Sequence, residues 1–238
     1  MALQLQAMYV LATGGSRAME KLDETTNNLA NVNTEGFKKV LIKEMSQRLT
    51  ENSGDANHLF VFPRFERSLV DLEQGALKET KRALDVALDG KGFLVVANNN
   101  AQLLTRSGHL FLTPNGELID RNGNAVLSTQ NKPIILDPQK DLQIAKDGKI
   151  YQDGEEVAQL RLVDTSDVEP VGDTYYRAKT ALTSANAKIE QGYLEQSNVN
   201  PMLEITSLIE AQRRFEIYSN IIKNLDQLTQ KTNEIGKA

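Results

Sequence analysis

The sequence predicts a mixed, mainly β protein in which an antiparallel β domain is flanked by N- and C-terminal α-helices that pair in a coiled-coil-like core. Two observations support this prediction. At both ends of the chain, apolar and small residues recur at alternating intervals of three and four, the spacing of a helix that packs along another helix. In the middle, short alternating apolar runs are separated by Asn-Gly and Asp-Gly pairs, which are strong signals of β-hairpins.

The N-terminal helix carries the first of these series. Several members are small residues, which allow close backbone approach but bury little area, so this helix should be marginal alone. The stretch NNLANVNTEGFKK follows it. Asn33 and Gly36 suit a helix exit because both tolerate the left-handed conformation, whereas Asn27 and Asn28 come too early for that role. The series consists of Leu5, Met8, Ala12, Gly15, Met19, Leu22, Thr26 and Leu29.

The C-terminal helix is predicted to begin after Pro201, a residue that favours the first turn, and to run at least through Leu228. Its series could pack against the first helix within the chain, on the sheet, or could belong partly to neighbouring copies. The pattern favours neither arrangement. The series consists of Leu208, Ala211, Phe215, Tyr218, Ile222, Leu225, Thr229 and Thr232.

These patterns divide the chain into five segments. They are the N-terminal helix and exit loop (1–45), a polar joint (46–68), the antiparallel β domain (69–183), a second joint (184–200) and the C-terminal helix (201–238). Within the β domain, the Gly90-Lys91-Gly92 turn is interpreted as a hairpin bend. A phosphate-binding loop would require a helix to follow it, and a strand follows instead.

Composition narrows the possible functions. The net charge of −5, with no basic cluster beyond short pairs, argues against nucleic acid as a partner, and the absence of cysteine excludes thiol chemistry and disulfides. No run is long and apolar enough for membrane insertion, and the N-terminus does not resemble a Sec signal peptide. His58 and His109 lack partners at metal-ligand spacing. We therefore predict no enzyme activity and no catalytic, cofactor-binding or metal-binding residues.

Three groups of motifs resemble one protein family. TTNNLANVNTEGFKK (residues 25–39) resembles the N-terminal signature of the bacterial flagellar rod and hook family, and GYLEQSNVNPMLEITSLIEAQRRFEIYSNII (192–222) resembles its C-terminal signature. ALDVALDGKGFLVV (83–96) and LLTRSGHLFLTPNGELIDRNGNAVL (103–127) are similar to its shared β domain. SNVNP followed by RRFE, with a compact segment after the first helix, is most similar to the proximal-rod member. The distal-rod member is the alternative.

The resemblance implies a structural subunit of the flagellar basal-body rod, within the periplasm, that polymerises through its terminal helices into a hollow torque-transmitting tube. It implies export by the flagellar type III apparatus without a Sec signal, and other rod subunits as partners. Two rival hypotheses remain: a periplasmic adaptor that docks without polymerising, and a cell-wall hydrolase, for which the sequence displays no carboxylate site.

The resemblance also implies an assembly interface formed by the terminal segments. Asn27, Asn28 and Asn31 would bond a neighbour's backbone or polar groups, with local capping as the alternative. The predicted interface consists of Leu5, Met8, Ala12, Gly15, Met19, Leu22, Asn27, Asn28, Leu29, Asn31, Asn33, Gly36, Phe37, Ser197, Asn198, Val199, Leu208, Ala211, Gln212, Phe215, Tyr218, Ile222 and Leu225.

Overall fold

A computed structural model of the chain describes residues 2–48, 61–98 and 101–235, and these residues form two compact units. The first unit contains the described residues up to 30, from 41 to 68, and from 200 onward. The second contains residues 31–40 and 69–199. The predicted fold class is confirmed, because the protein is mainly β and its two helices pack against each other.

The first unit is built around the helix pair. Helix α1 spans Ala2–Ala30 and α2 spans Pro201–Ile235. The side-chain oxygen of Asn200 caps α2 by accepting hydrogen bonds from the backbone N–H groups of Met202 (3.0 Å) and Leu203 (3.3 Å). Pro201 occupies the first turn as predicted, where its missing N–H costs nothing.

Two strands follow α1, where the sequence predicted the end of an exit loop up to residue 45 and a polar joint over 46–68. Strand β1 spans Val40–Arg48, β2 spans Val61–Val70, and they pair as a two-stranded sheet. Both segments contain β-branched and other apolar residues between charged ones, a composition that favours strands over linkers. The middle of that predicted joint, residues 49–60 with His58, lies outside the described residues.

The second unit is the β domain. Its strands are β3 (Leu77–Glu79), β4 (Val86–Asp89), β5 (Phe93–Asn98), β6 (Ala101–Thr105), β7 (Phe111–Leu112), β8 (Leu118–Ile119), β9 (Ala125–Val126), β10 (Leu142–Ile144), β11 (Lys149–Gln152), β12 (Glu155–Gln159), β13 (Leu162–Asp164), β14 (Val168–Gly172), β15 (Tyr175–Ala178), β16 (Thr183–Ser184), β17 (Lys188–Gln191) and β18 (Tyr193–Glu195). The largest sheet has the order β14-β15-β6-β5-β9-β8-β7. In that sheet, β13 also pairs with β5 and β16.

The Asn-Gly and Asp-Gly hairpins are confirmed. The turn at Asn115-Gly116 joins β7 to β8, Asn122-Gly123 joins β8 to β9, Asp147-Gly148 joins β10 to β11, and Asp153-Gly154 joins β11 to β12. The glycine of each pair has a positive φ, which a residue without a Cβ adopts at no steric cost. The turn predicted at residues 98–100 falls partly on 99–100, outside the described residues.

The predicted hairpin bend at Gly90-Lys91-Gly92 is wrong. Strand β4 pairs with β17, whereas β5 pairs with β6, β9 and β13, so this turn carries the chain from one sheet to another. Gly90 and Gly92 both have a positive φ. The two glycines correctly indicated a bend in the chain. They could not indicate that β4 pairs with β17, which lies far away in the sequence.

The β domain also extends beyond its predicted end. The sequence predicted a joint over 184–200, yet β17 and β18 lie there, and pair with β4 and β3. Ile189 and Leu194 point into the interior, while their polar neighbours made the segment look like a linker. The alternation expected for Leu84, Val86 and Leu88 agrees with their place in the main core cluster.

No helix of the described residues is long and apolar enough to cross a membrane.

Candidate assembly interface

Helix α1 buries a series of side chains that is offset from the predicted one. Ala18 and Thr25 are buried, as is the backbone at Gly15, and Leu11, Leu22 and Leu29 are half-buried. This series again alternates steps of four and three. Gly15, Leu22 and Leu29 belong to both series, whereas the predicted Met8, Ala12, Met19 and Thr26 are exposed. A Cβ added to Gly14 would come within 2.6 Å of the Tyr218 ring on α2.

The residues that this offset leaves uncovered form a second stripe on α1. Met8 and Met19 are 43% and 46% exposed, and Ala12 and Thr26 are also exposed. Successive members are separated by four, seven and seven residues, so they share one side of the helix. We call these four residues the α1 outer stripe.

Helix α2 also carries one series of buried residues and one series of exposed apolar residues. Ala211 is buried and Leu208, Tyr218, Ile222 and Leu225 are half-buried, in agreement with the predicted series. Phe215 and Thr229 of that series are exposed, and the side chain of Thr232 lies outside the described residues. The sequence analysis missed a second apolar series, in which successive members are separated by 14, 4 and 7 residues. This α2 outer stripe consists of Leu203 (61% exposed), Ile217 (57%), Ile221 (38%) and Leu228 (59%).

Exposed apolar residues that share one side of a helix are candidates for a contact with another protein. Single exposed apolar residues are normal, but contiguous ones on a surface mark protein–protein interfaces. Each outer stripe runs beside the series of residues that its helix buries within the chain. The first unit therefore presents two apolar surfaces to solvent.

The segments that leave α1 and lead to α2 meet inside the second unit, at a cluster of buried charges that we call the junction. The Lys38 ammonium lies 2.6 Å from Glu195 Oε1, and neither side chain is exposed. Arg106 Nη1 lies 3.2 Å from Glu195 Oε2. The Gly75 N–H also donates to Glu195 Oε1, at 2.9 Å. One carboxylate thus receives two cations and a backbone donor.

The junction also ties backbone to backbone. Gly36 N–H donates to the Glu195 carbonyl (2.8 Å), and Lys39 N–H donates to the Asn198 side chain (2.7 Å). The Asn198 amide in turn donates to the carbonyls of Asp71 (3.0 Å) and Glu73 (3.1 Å). Residues 36–39 and 195–198, which are far apart in sequence, are therefore bonded to each other and to the segment between β2 and β3.

Burial dominates the electrostatics of the junction. Removal from water lowers the pKa of Lys38, and the nearby Glu195 carboxylate opposes that shift. Burial likewise lowers the pKa of Arg106 and raises that of Tyr176, whose hydroxyl accepts a hydrogen bond from Lys38 N–H (2.9 Å). A buried ion pair that loses one partner leaves an uncompensated charge, so the three charged groups depend on one another.

Gly36 is confined by the junction. Its φ is +74°, and a Cβ at this position would lie 2.3 Å from the Ser107 backbone nitrogen. The expectation that Gly36 takes the left-handed conformation agrees with this φ. Asn33 is not among the described non-glycine residues with a positive φ, so its assignment to that conformation is wrong. Only glycine fits where the chain crosses the Arg106–Ser107 backbone.

The predicted interface residues fall into three groups. The exposed ones are Met8, Ala12, Met19, Asn27, Asn33, Gln212 and Phe215. The half-buried ones are Leu22, Leu29, Asn31, Ser197, Asn198, Leu208, Tyr218, Ile222 and Leu225. The buried ones are Gly15, Asn28, Gly36, Phe37, Val199 and Ala211. Leu5 lies in α1, and its side chain is outside the described residues.

Burial limits how these residues could contact a second molecule. Asn28 has no exposed surface, so its amide serves the fold of this chain rather than reaching a neighbour. The Asn31 carbonyl accepts from Thr34 N–H (3.1 Å), and its side-chain oxygen accepts from the Thr34 hydroxyl (3.2 Å). Local bonding of this kind is the capping alternative. Asn27 and Asn33 are exposed, and an interface role for them stays a prediction.

No group of three or more His, Cys, Asp or Glu side chains placed to hold a metal ion occurs among residues 2–48, 61–98 and 101–235. His109 Nε2 lies 2.8 Å from Arg82 Nη1, and its ring stacks on Phe111 at 4.9 Å between centroids.

Comparisons with known proteins match the same regions. A family model described as "Flagella basal body rod protein" matches residues 8–38, which cover most of α1 and the exit segment. Models described as "Flagellar hook protein FlgE/F/G D1 domain" and "Flagellar basal body rod FlgEFG protein C-terminal" match residues 87–152 and 190–235.

Two relatives align along nearly the whole chain. A flagellar basal-body rod protein FlgF from Caulobacter vibrioides is 32% identical over 240 positions, covering 97% of this chain and 98% of that protein. A flagellar basal-body rod protein FlgG from Bacillus subtilis is 30% identical over 257 positions, covering 95% and 97%.

The chain belongs to the flagellar basal-body rod protein family. The resemblance of its terminal motifs to this family is thereby confirmed. Two of the matched regions end or begin at the junction, because Lys38 closes the first and Glu195 lies near the start of the last. The motifs that identified the rod family from sequence are thus the ones that meet around the buried carboxylate.

The sequence analysis missed the central residues of the junction. Lys38 and Glu195 stood inside the quoted motifs but had no role assigned, and Arg106 stood in the β-domain match. Phe37, directly before Lys38, is apolar, but Lys39 follows it, so the local sequence gave no clear signal that Lys38 is buried. Nothing local indicated its partner, which lies 157 residues away in the chain.

Proposed function

We propose that this chain is a structural subunit of the bacterial flagellar basal-body rod that polymerises through its helix pair into a hollow, torque-transmitting tube. One observation carries the proposal: α1 and α2 each bury one side within the chain and leave an outer stripe uncovered. In this rod family, the neighbours available to cover such stripes are other rod subunits. The interface would consist of the exposed members of the predicted set together with the two outer stripes.

The two outer stripes are compatible with an open assembly in which each copy contacts two neighbours. The α1 outer stripe is made of Met, Ala and Thr, whereas the α2 outer stripe is made of Leu and Ile. If the α1 stripe of one copy packs on the α2 stripe of the next, the contact is head-to-tail. Such a contact repeats without closing whenever its rotation does not return to the first subunit, and a helical tube results.

The junction would then transmit load. Residues 31–40 and 196–200 are two of the chain segments that connect the helices to the β domain, and a buried, multiply bonded ion cluster would hold them in place. Hydrogen bonds and ion pairs are directional, whereas apolar packing slides at lower cost. The charged groups would thus serve mechanical stiffness rather than chemistry, and we propose no enzyme activity.

We propose the proximal-rod role in preference to the distal-rod role. The alignment with FlgF needs 240 positions, whereas that with FlgG needs 257 for a similar share of this chain. The FlgG relative therefore carries insertions that this chain lacks, consistent with the compact segment after α1. Export by the flagellar type III apparatus and a place in the periplasmic part of the basal body complete the proposal.

Deletion and complementation test the proposal. A strain that lacks this chain should be non-motile, and its purified basal bodies should show an interrupted rod by electron microscopy. Expression of the full chain should restore both. A deletion strain with complete rods and normal motility would contradict the proposal.

The adaptor hypothesis predicts a different stoichiometry. An adaptor would dock through one surface and remain at one copy per binding site, whereas a rod subunit should be present in several copies per basal body. Quantitative mass spectrometry of purified basal bodies against labelled standard peptides distinguishes the two.

A further inference from the structure

The chain contains two Asn-Gly pairs, Asn115-Gly116 and Asn122-Gly123, and each forms a hairpin turn in the β domain. Asn-Gly is the sequence most prone to spontaneous deamidation, because glycine has no Cβ to hinder attack by its backbone nitrogen. Local structure decides whether the attack occurs, since the nitrogen must be free and the backbone must be able to rotate. The glycine N–H is hydrogen-bonded in both turns, and the turns differ in how tightly the glycine backbone is packed.

The glycine of the Asn115-Gly116 turn is buried and hydrogen-bonded on both sides. Gly116 is buried, its N–H donates to the Thr113 carbonyl at 2.9 Å, and its carbonyl accepts from Leu136 N–H at 2.7 Å. A Cβ on Gly116 would lie 2.1 Å from the Leu136 carbonyl oxygen, so the backbone here is pressed against its neighbour. Rotation at this glycine requires that two hydrogen bonds open.

The Asn122 turn is open. Gly123 is exposed, and a Cβ built on it meets nothing within 4 Å. Its N–H donates only to the Asp120 carbonyl, over a longer distance of 3.2 Å. The Asn122 side chain is exposed and makes a weak 3.4 Å hydrogen bond from Nδ2 to Asp173 Oδ2. The turn is held by hydrogen bonds to Asp120, but no neighbouring backbone packs against Gly123.

We propose that Asn122 is a site of spontaneous deamidation and that Asn115 is protected by its fold. In the reaction, the Gly123 nitrogen attacks the Asn122 side-chain carbonyl carbon and loses its proton, while the bond from that carbon to Nδ2 breaks and ammonia leaves. The resulting succinimide takes up one water molecule and opens to aspartate or isoaspartate. The sole co-reactant is water.

The product would alter a crowded acidic site. Asp120 Oδ1 accepts the backbone N–H groups of Asn122 (2.9 Å) and Asn124 (2.8 Å), and Asp173 faces the amide that is lost. Deamidation replaces a donor to Asp173 with a carboxylate, so three negative groups converge. Isoaspartate also lengthens the backbone by one methylene, which disturbs the Ile119↔Ala125 pairing of β8 and β9.

The added negative charge would also affect a groove next to the turn. Asp120, Asn122 and Asp173 line one open groove with Thr34 and Glu35 of the segment that leaves α1. A subunit that stays in place for long after synthesis would accumulate negative charge in this groove with age.

Peptide mapping tests the proposal directly. The purified full-length chain is aged at mildly alkaline pH in water enriched in oxygen-18, so that conversion during ageing is distinguished from conversion during digestion. Trypsin cleaves after Arg121, which places Asn115 and Asn122 on different peptides. We expect Asn122 to convert about tenfold faster than Asn115, because Gly116 is buried against the Leu136 backbone whereas Gly123 is exposed.

Two controls show whether the fold is responsible. In denaturant, where neither turn exists, the two rates should become similar. Gly123→Ala should slow conversion at Asn122 and leave Asn115 unchanged. Equal rates in the folded chain, faster conversion at Asn115, or an Asn122 that resists conversion while the denatured chain converts would each overturn the proposal.

Discussion

Replacing Glu195 with glutamine tests the junction most sharply. Glu195→Gln keeps the size and planarity of the side chain but removes its charge, which leaves the Lys38 ammonium and the Arg106 guanidinium buried without a counter-charge. It also replaces one acceptor oxygen with an NH₂ group, which would face the hydrogen-bond donors that now surround the carboxylate.

The size of the effect follows from burial. Both oxygens of Glu195 are used, one by Lys38 Nζ at 2.6 Å and Gly75 N–H at 2.9 Å, the other by Arg106 at 3.2 Å. Removing one member of a buried, hydrogen-bonded ion pair costs about 3–5 kcal/mol of unfolding free energy. Urea unfolding followed by circular dichroism should therefore show a midpoint shift at nearly unchanged slope.

A matched control separates burial from charge. Glu190→Gln makes the same substitution in the Lys146–Glu190 pair, whose 2.9 Å contact is similar but whose side chains are 71% and 29% exposed. This variant should be close to the unmodified chain in stability, because exposed ion pairs gain little in water. The reasoning is refuted if Glu195→Gln costs no more than Glu190→Gln.

The remaining predictions concern Gly36 and Tyr176. Gly36→Ala should lower the free energy of unfolding by more than about 1–2 kcal/mol, because the strain of the left-handed conformation is added to a clash with the Ser107 backbone. Gly123 has a similar φ but open space around it, so Gly123→Ala should show the strain alone. Thermal melts of the two variants compare these costs. Burial raises the pKa of Tyr176 above its ordinary 10.0, so its contribution to stability is complete below pH 10 and is lost as the pH rises further. Above pH 10, the free energy of unfolding should therefore fall less steeply with pH in Tyr176→Phe than in the unmodified chain. Identical slopes would contradict the role given to the buried Tyr176 hydroxyl.

Local chemistry explains what the sequence predicted well. The Asn-Gly and Asp-Gly turns were located because glycine after Asn or Asp determines a two-residue turn without help from the rest of the chain. Pro201 and the three–four spacing determined α2 in the same way. Gly36 was predicted to take a left-handed conformation because few other residues end a helix so readily.

Long-range pairing explains what the sequence did not predict. The α1 series was offset because Ala18 and Thr25 are buried in place of Met19 and Thr26, and hydrophobicity does not signal the burial of such small residues. Strand β17 was interpreted as a joint because its partner β4 lies about a hundred residues earlier. The Lys38–Glu195 pair has no local signature, since each charge alone resembles a solvated surface residue.

The central claim is that the outer stripes are surfaces between subunits, and paired aspartate substitutions on α2 test it most directly. Ile217→Asp with Leu228→Asp places two charges on the α2 outer stripe, and Asn220→Asp with Gln227→Asp places the same two charges on exposed polar positions of the same helix. Both double variants should melt like the unmodified monomer. Incorporation into basal bodies, measured by quantitative mass spectrometry, should be lost for the stripe variant and retained for the control. Normal incorporation of the stripe variant, or its unfolding as a monomer, would contradict the account.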